Sequence, residues 1–222
     1  MYNETENLAG SKASAAECAP TDYFARAPKT VVVDNYDSFT YNLVQMLSTI
    51  CPDKIKVVRN DEISFSALAL MKPDKIVLSP GPGHPGSTRD FGLCQEILSR
   101  QGELGASILG VCLGHQGMAA TCGATIEKLA VPVHGKTSRI NVLAQSKLFE
   151  GLGDEFEAMR YHSLYVSDKG LPRSLKVTAR SADNVIMALE HQEMPIYGIQ
   201  FHPESIATPQ GKKILENFIR SC

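Results

Sequence analysis

The chain has 222 residues, 43% of them apolar, with 22 Lys and Arg against 24 Asp and Glu. That length suits one large α/β domain or two small ones. A formal net charge of -2 gives no bulk electrostatic case for a nucleic-acid or membrane-surface partner, and no apolar run reaches transmembrane length.

Residues 1–28 are rich in Ala, Ser, Glu and Asn and carry no periodicity, so they read as a disordered N-terminal arm before a domain over 29–222. A transit peptide would be Arg-rich and acid-poor, so Glu4, Glu6, Glu17 and Asp22 disfavour an organelle address without excluding it. The six cysteines show neither C-x-x-C nor zinc-ribbon spacing. Free thiols in a cytoplasmic setting are expected.

From Thr30 the pattern changes. Thr30 to Val33 is a β-branched run of the kind buried on both faces of a parallel sheet. Asp37 or Ser38 is placed to cap a helix with an apolar stripe at Phe39, Leu43, Val44 and Leu47. Ile55 to Val58 predicts a strand, Ile63 to Met71 a helix, and Lys75 to Leu78 a strand ending in the Pro/Gly-rich loop 79–86. Phe91 to Ser99 predicts a helix, Ser107 to Val111 a strand, and Gln116 to Thr121 lies in the helix that follows. Beyond Gly123 the strands are shorter: Thr125 to Leu129, Ser138 to Val142, Phe156 to Met159, Lys176 to Ala179, Ile186 to Glu190 and Ile196 to Gln200. Lys212 to Ile219 closes the chain as a helix. Alternation in the first half predicts an α/β fold with an open, mostly parallel central sheet and flanking helices. The second half reads as a smaller antiparallel flap on the same sheet.

Chemistry concentrates in three segments. In Gly110-Val111-Cys112-Leu113-Gly114, glycines stand two residues either side of a cysteine at a strand-to-helix junction. A nucleophile on such a sharp turn needs small neighbours, and the following helix N-terminus favours a thiolate. By default a free cysteine is a buried core thiol. That reading is kept for Cys18, Cys51, Cys94, Cys122 and Cys222, which lack this context. His202-Pro203-Glu204 ends an apolar run, and in extended chain the two polar side chains share a face. A carboxylate on one ring nitrogen aims the other at the sulfur. An H-x-E pair also occurs in zinc deaminases, but the P-C-x-x-C they need is absent, and no metal site is expected. His115 and His134 are candidates for the surroundings of the site. The loop Ser79-Pro80-Gly81-Pro82-Gly83-His84-Pro85 lacks the G-K-[ST] of a phosphate loop, and its prolines remove donors. It reads better as a wall in which the Gly81 N–H, with that of Leu113, faces a developing oxyanion.

Taken in order, Asp34 to Thr40, the Pro/Gly loop, the cysteine turn, His134-Gly135-Lys136-Thr137, Arg160-Tyr161-His162-Ser163-Leu164 and the His-Pro-Glu segment closely resemble the class I glutamine amidotransferases. The resemblance runs from about Thr30 to Ile219, and within the class it is nearest the glutaminase partner of chorismate-using synthases. It implies a triad of Cys112, His202 and Glu204. It also implies an L-glutamine pocket of Gly81, Gly83, Leu113, Gln116, Ser163 and Leu164. No cofactor is implied in this chain, while the synthase, as a separate subunit or a fused domain, would use Mg2+. The product branch reads as aminodeoxychorismate on Arg59-Asn60-Asp61, Tyr165-Val166 after the Ser-Leu pair, and Pro203 through Glu216 with its Leu-Glu-Asn-Phe ending. The alternatives are anthranilate supply, a partner-independent γ-glutamyl hydrolase and a non-catalytic regulatory subunit. Asp34 to Thr40 and the His134 to Thr137 loop are implied to be docking segments; their plainer reading is a helix cap and a tight turn.

Overall fold

The computed structural model describes residues 29–52 and 55–222; the arm over 1–28 lies outside them. In chain order the elements are β1 (Thr30–Asp34), α1 (Thr40–Ile50), β2 (Ile55–Arg59), α2 (Phe65–Leu70), β3 (Lys75–Leu78), α3 (Thr88–Ser99), α4 (Gln101–Leu104), β4 (Ser107–Val111) and α5 (Leu113–Thr121). They continue with β5 (Ile126–Val142), a 3-10 turn (Lys147–Phe149), β6 (Glu155–Val166), β7 (Leu175–Ser181), β8 (Ile186–His191), β9 (Ile196–Ile199) and α6 (Gly211–Ser221).

All nine strands join one sheet, in the order β2-β1-β3-β4-β9-β8-β7-β5-β6. The pairings from β2 through β9 are parallel, and those from β9 through β6 are antiparallel. The expected α/β architecture is therefore present, with the flap built as a direct continuation of the sheet. No described helix is long and apolar enough to cross a membrane.

The β-branched runs of the parallel half are buried on both faces because helices cover both. Val32, Val77 and Leu109 pack with Leu43 and Leu47 of α1 and Ile214 and Phe218 of α6. Val31, Val33, Ile76, Leu78 and Ile108 face the other way, onto Phe65 and Leu68 of α2, Phe91 and Ile97 of α3, and Met118 of α5. Alternate residues of one strand thus feed two cores. Each such side chain contributes about 1.5–3 kcal/mol of transfer free energy.

Three boundaries differ from the sequence expectation, each for a physical reason. The two predicted strands Thr125–Leu129 and Ser138–Val142 are one long β5, because Pro132 and Gly135 are absorbed as register shifts rather than as a break. His134 to Thr137 is accordingly strand, with Gly135 at φ 67°, and not a loop. Strand β6 runs on past Met159 to Val166, with Arg160 and His162 at inward positions that the apolar pattern would reserve for hydrophobic residues. Neither Asp37 nor Ser38 caps α1 from the N-cap position, which Phe39 holds; Asp37 instead accepts the Phe39 N–H at 2.8 Å. Phe39 is not core: it is exposed and stacks on Tyr161 with ring centroids 5.6 Å apart.

Candidate active site at the carboxyl ends of β4 and β9

Cys112 sits between β4 and α5 at φ 52° and ψ -97°, a conformation that β-carbon sterics normally reserve for glycine. The turn is tight enough to dictate its neighbours. A β-carbon on Gly110 would come within 2.4 Å of the Gly114 carbonyl carbon, and one on Gly114 within 2.6 Å of the Leu78 oxygen. The glycine bracket read from the sequence is therefore a close-packing requirement of β4, α5 and β3 together. Gly117 serves the same packing, since a β-carbon there would enter the Phe91 ring.

The loop after β3 approaches from one side. Asn35 pins it, taking the Ser79 hydroxyl oxygen as acceptor for its backbone N–H at 2.8 Å and the Ser79 carbonyl for its side-chain amide at 2.9 Å. Gly81 then passes so close to Asn35 and Leu113 that a β-carbon would lie 2.6 Å and 2.9 Å from them. Leu113 opens α5, so its N–H has no acceptor within the helix. Gly83 has φ 94°, and its β-carbon position is filled by the Asp90 carboxylate that accepts the His84 N–H at 3.0 Å.

From the other side comes the segment after β9. The chain here is a series of turns rather than the extended strand expected, because β9 ends at Ile199. His202 is held by its backbone: its N–H donates to Met159 of β6 at 3.0 Å, and its carbonyl accepts the Thr208 hydroxyl at 2.7 Å. The ring Nδ1 bonds Glu204 Oε1 at 2.6 Å, with both side chains 2% exposed. The other ring atom, Nε2, is buried without a hydrogen-bond partner. Burial alone would lower the imidazole pKa; the adjacent Cys112 sulfur and the Glu204 carboxylate outweigh it and raise the value to about 10. The surroundings thus favour an imidazolium at His202. Tyr161 packs against this ring in a T-shaped contact, centroids 5.1 Å apart, and also stacks on Phe39.

A cavity of about 390 Å³ opens over Cys112. Its walls include Gly81, Gly83, Leu113, Gln116, Ser163 and Leu164, all six of the pocket residues read from the sequence, together with Tyr36, His134 and Tyr161. The Ser163–Leu164 wall is fixed from behind. Arg160, 2% exposed, bonds Asp183 at 2.8 Å, Ser138 at 3.1 Å and His162 Nε2 at 3.0 Å. A guanidinium only donates, so His162 Nε2 accepts and its Nδ1–H donates to the Leu164 carbonyl at 2.8 Å. Burial holds this imidazole neutral, with its pKa lowered to about 4.

Sequence reasoning missed Gln200. It is fully buried, and its amide nitrogen lies 3.5 Å from Cys112 Sγ. The only local signal was a polar residue inside the apolar run Ile196 to Phe201. Of the two flanking histidines, His134 lines the cavity, whereas His115 is buried against Gly198 with neither nitrogen partnered and its pKa pushed down to about 3. Cys51 and Cys94 are core thiols as expected, Cys122 and Cys222 are half-buried, and Cys18 lies outside the described residues.

The model of the family described as "Glutamine amidotransferase class-I" matches residues 31–222. Among named relatives, "Anthranilate synthase component 2" of Methanothermobacter marburgensis is 45% identical over 194 residues, covering 86% of this chain and 97% of that protein. "Aminodeoxychorismate synthase" of Streptomyces griseus is 48% identical over 190 residues, which is 86% of this chain but 25% of that much longer protein. A crystal structure of a protein assigned to GMP synthase, from Thermoplasma acidophilum, superposes with a TM-score of 0.75 at 29% identity, covering 87% of this chain and 92% of the other.

Proposed function

This chain belongs to the class I glutamine amidotransferase family, and from that premise we propose that it hydrolyses L-glutamine through a Cys112 thioester and passes ammonia to a chorismate-using synthase. The observation that carries the reading is the strained Cys112 turn beside a buried imidazolium–carboxylate pair, His202–Glu204. Cys112 thiolate attacks the side-chain carboxamide carbon of glutamine. The oxyanion is received by the Gly81 and Leu113 N–H groups. His202, held by Glu204, gives its Nε2 proton to the departing nitrogen, so ammonia leaves and a glutamyl thioester remains. The neutral imidazole then takes a proton from water, hydroxide adds to the thioester carbonyl, and collapse expels Cys112 thiolate with glutamate. Gln116 commits its amide nitrogen to the Leu164 carbonyl at 3.0 Å, which leaves its oxygen for the substrate ammonium group.

Free ammonia is mostly protonated in neutral water, so a productive transfer needs a sheltered route into a partner. Tyr36, Phe39, Tyr41 and Val131 are exposed, on or beside the two segments proposed for docking. Apolar exposure of this kind marks an interaction surface. We take the product to be 4-amino-4-deoxychorismate on the branch residues given above. The match over nearly all of a protein named anthranilate synthase component 2 supports anthranilate as the second reading.

The test is reconstitution with the synthase that co-purifies with the chain, given glutamine and chorismate. Cys112→Ala is expected to abolish glutamine-dependent product while ammonia-dependent synthesis survives. Aminodeoxychorismate as product supports the first branch and anthranilate the second. Brisk glutamate release by the isolated wild-type chain would point to a partner-independent hydrolase, and no turnover with any synthase to a regulatory subunit.

A further inference from the structure

Two side chains far apart in sequence, Gln116 and Gln200, form a directed hydrogen-bond relay that ends on the Cys112 sulfur. Its direction is set at the far end. The Leu164 carbonyl can only accept, so the Gln116 atom 3.0 Å from it is the amide nitrogen. That same nitrogen lies 3.1 Å from the Gln200 side chain, which must therefore present its oxygen. The Gln200 nitrogen is left pointing at Cys112 Sγ, 3.5 Å away. With Gln200 fully buried and Gln116 3% exposed, water does not compete for these contacts. The backbone is fixed as well, since the Gln200 N–H donates to Met187 at 2.9 Å and the Cys112 N–H to Ile199 at 2.8 Å.

We propose that Gln200 is a further catalytic residue: its carboxamide donates a hydrogen bond to the Cys112 sulfur, favours the thiolate over the thiol, and aims the sulfur into the cavity. A thiol accepts weakly, whereas a thiolate is a strong acceptor, so the bond strengthens when the proton moves from Cys112 to His202. The relay also ties the nucleophile to the Ser163–Leu164 wall, because Gln116 touches that wall and Gln200 together. A substrate that reorients Gln116 thereby changes the donor on the sulfur. The inference rests on Cys112 being the nucleophile of the proposed reaction.

The experiment measures iodoacetamide alkylation of Cys112, resolved by peptide mass spectrometry, against pH in the wild type, Gln200→Glu and Gln200→Leu. On the low-pH limb, alkylation should be about tenfold slower in Gln200→Leu, with the whole profile displaced to higher pH. Gln200→Glu keeps the shape and replaces the donor by a carboxylate, so its displacement should be larger. Coincident profiles in folded variants overturn the proposal. Should either buried substitution unfold the chain, the wild type still decides. With 15N-labelled glutamine side chains, the Gln200 amide protons should move downfield as Cys112 ionises and lose that response in Cys112→Ala; an indifferent resonance refutes the bond. Failure of the underlying reading looks different: Cys112→Ser would keep full glutamine use.

Discussion

Replacing Gly114 by Ala is the sharpest test of the Cys112 turn. The added β-carbon would lie 2.6 Å from the Leu78 carbonyl oxygen and 2.9 Å from the Leu78 β-carbon. Both belong to β3, which is hydrogen-bonded to β1 and β4 on either side and has no room to yield. The start of α5 must retreat by about 0.8 Å to restore an ordinary contact near 3.4 Å. Cys112 and the Leu113 N–H move with it. Misplacing reacting groups by roughly an ångström costs on the order of a hundredfold in rate. Overpacking costs about 1–3 kcal/mol in stability, offset in part by the better helix propensity of alanine. Gly102 in α4 is the control, since a β-carbon there meets nothing within 4 Å. Gly102→Ala should leave stability within about 1 kcal/mol and activity untouched. Glutamine-dependent against ammonia-dependent turnover in the reconstituted complex, with urea unfolding of the free chain, reads both effects. A Gly114→Ala chain with wild-type turnover and stability would show that the close contact does not position the sulfur.

Acid should destabilise the fold through two histidines. His115 and His162 have pKa values lowered by burial to about 3 and about 4, so below the ordinary imidazole range the unfolded chain binds protons that the folded one refuses. Unfolding free energy should then fall by about 1.4 kcal/mol per pH unit for each, over roughly pH 6 to 4, in urea titrations; a flat profile would contradict this. His202 has the opposite sign. Its raised pKa gives stability that is complete below the unfolded imidazole value and lost as pH climbs toward about 10. In Glu204→Gln that alkaline loss should be smaller and complete at lower pH, and glutamine-dependent rate should drop by about a hundredfold or more; an unchanged alkaline limb would argue against the pairing. Tyr41→Lys alters a side chain that is 67% exposed, so melting temperature should hold while affinity for the synthase falls about thirtyfold in surface plasmon resonance; unchanged affinity would remove Tyr41 from the interface.

The parallel half of the fold was legible because its cues are local. Runs such as Val31 to Val33 and Ile76 to Leu78 are apolar without interruption, and every residue in them is buried. The cysteine turn was legible for the same reason, since its glycine bracket lies within five residues. What escaped was polar burial. Arg160 and His162 continue the inward row of Phe156 and Ala158 on β6, but their polarity disguised the strand. Their burial is offset by partners from other strands, Ser138 of β5 and Asp183 after β7, which no local pattern reveals. Gln200 was hidden likewise, its role visible only once Gln116 and Cys112 stand beside it.

The convergence of the site follows from one feature of topology. Strands β4 and β9 are separated by most of the second half of the chain, yet they are parallel neighbours, with Val111 opposite Ile199. One residue beyond that pair, the register sets Cys112 beside Gln200, and the Cys112 N–H closes onto the Ile199 carbonyl at 2.8 Å. Everything after Ile199 is thereby delivered to the same sheet edge as the strained turn, which is where open α/β sheets expose their loops. The antiparallel flap supplies the remaining constraint. Strand β6 reaches back across the sheet end so that Met159 bridges His202, and this bridge fixes the imidazole while Arg160 and His162, next along the same strand, fix the Leu164 carbonyl. One strand therefore sets both the His202 ring and the Leu164 wall of the cavity. A one-residue slip of β6 against β5 would turn Arg160 and His162 outward and release both at once. In the observed register Arg160 reaches Ser138 and Asp183, and His162 reaches the Leu164 carbonyl, so the buried polar groups of β6 find their partners there.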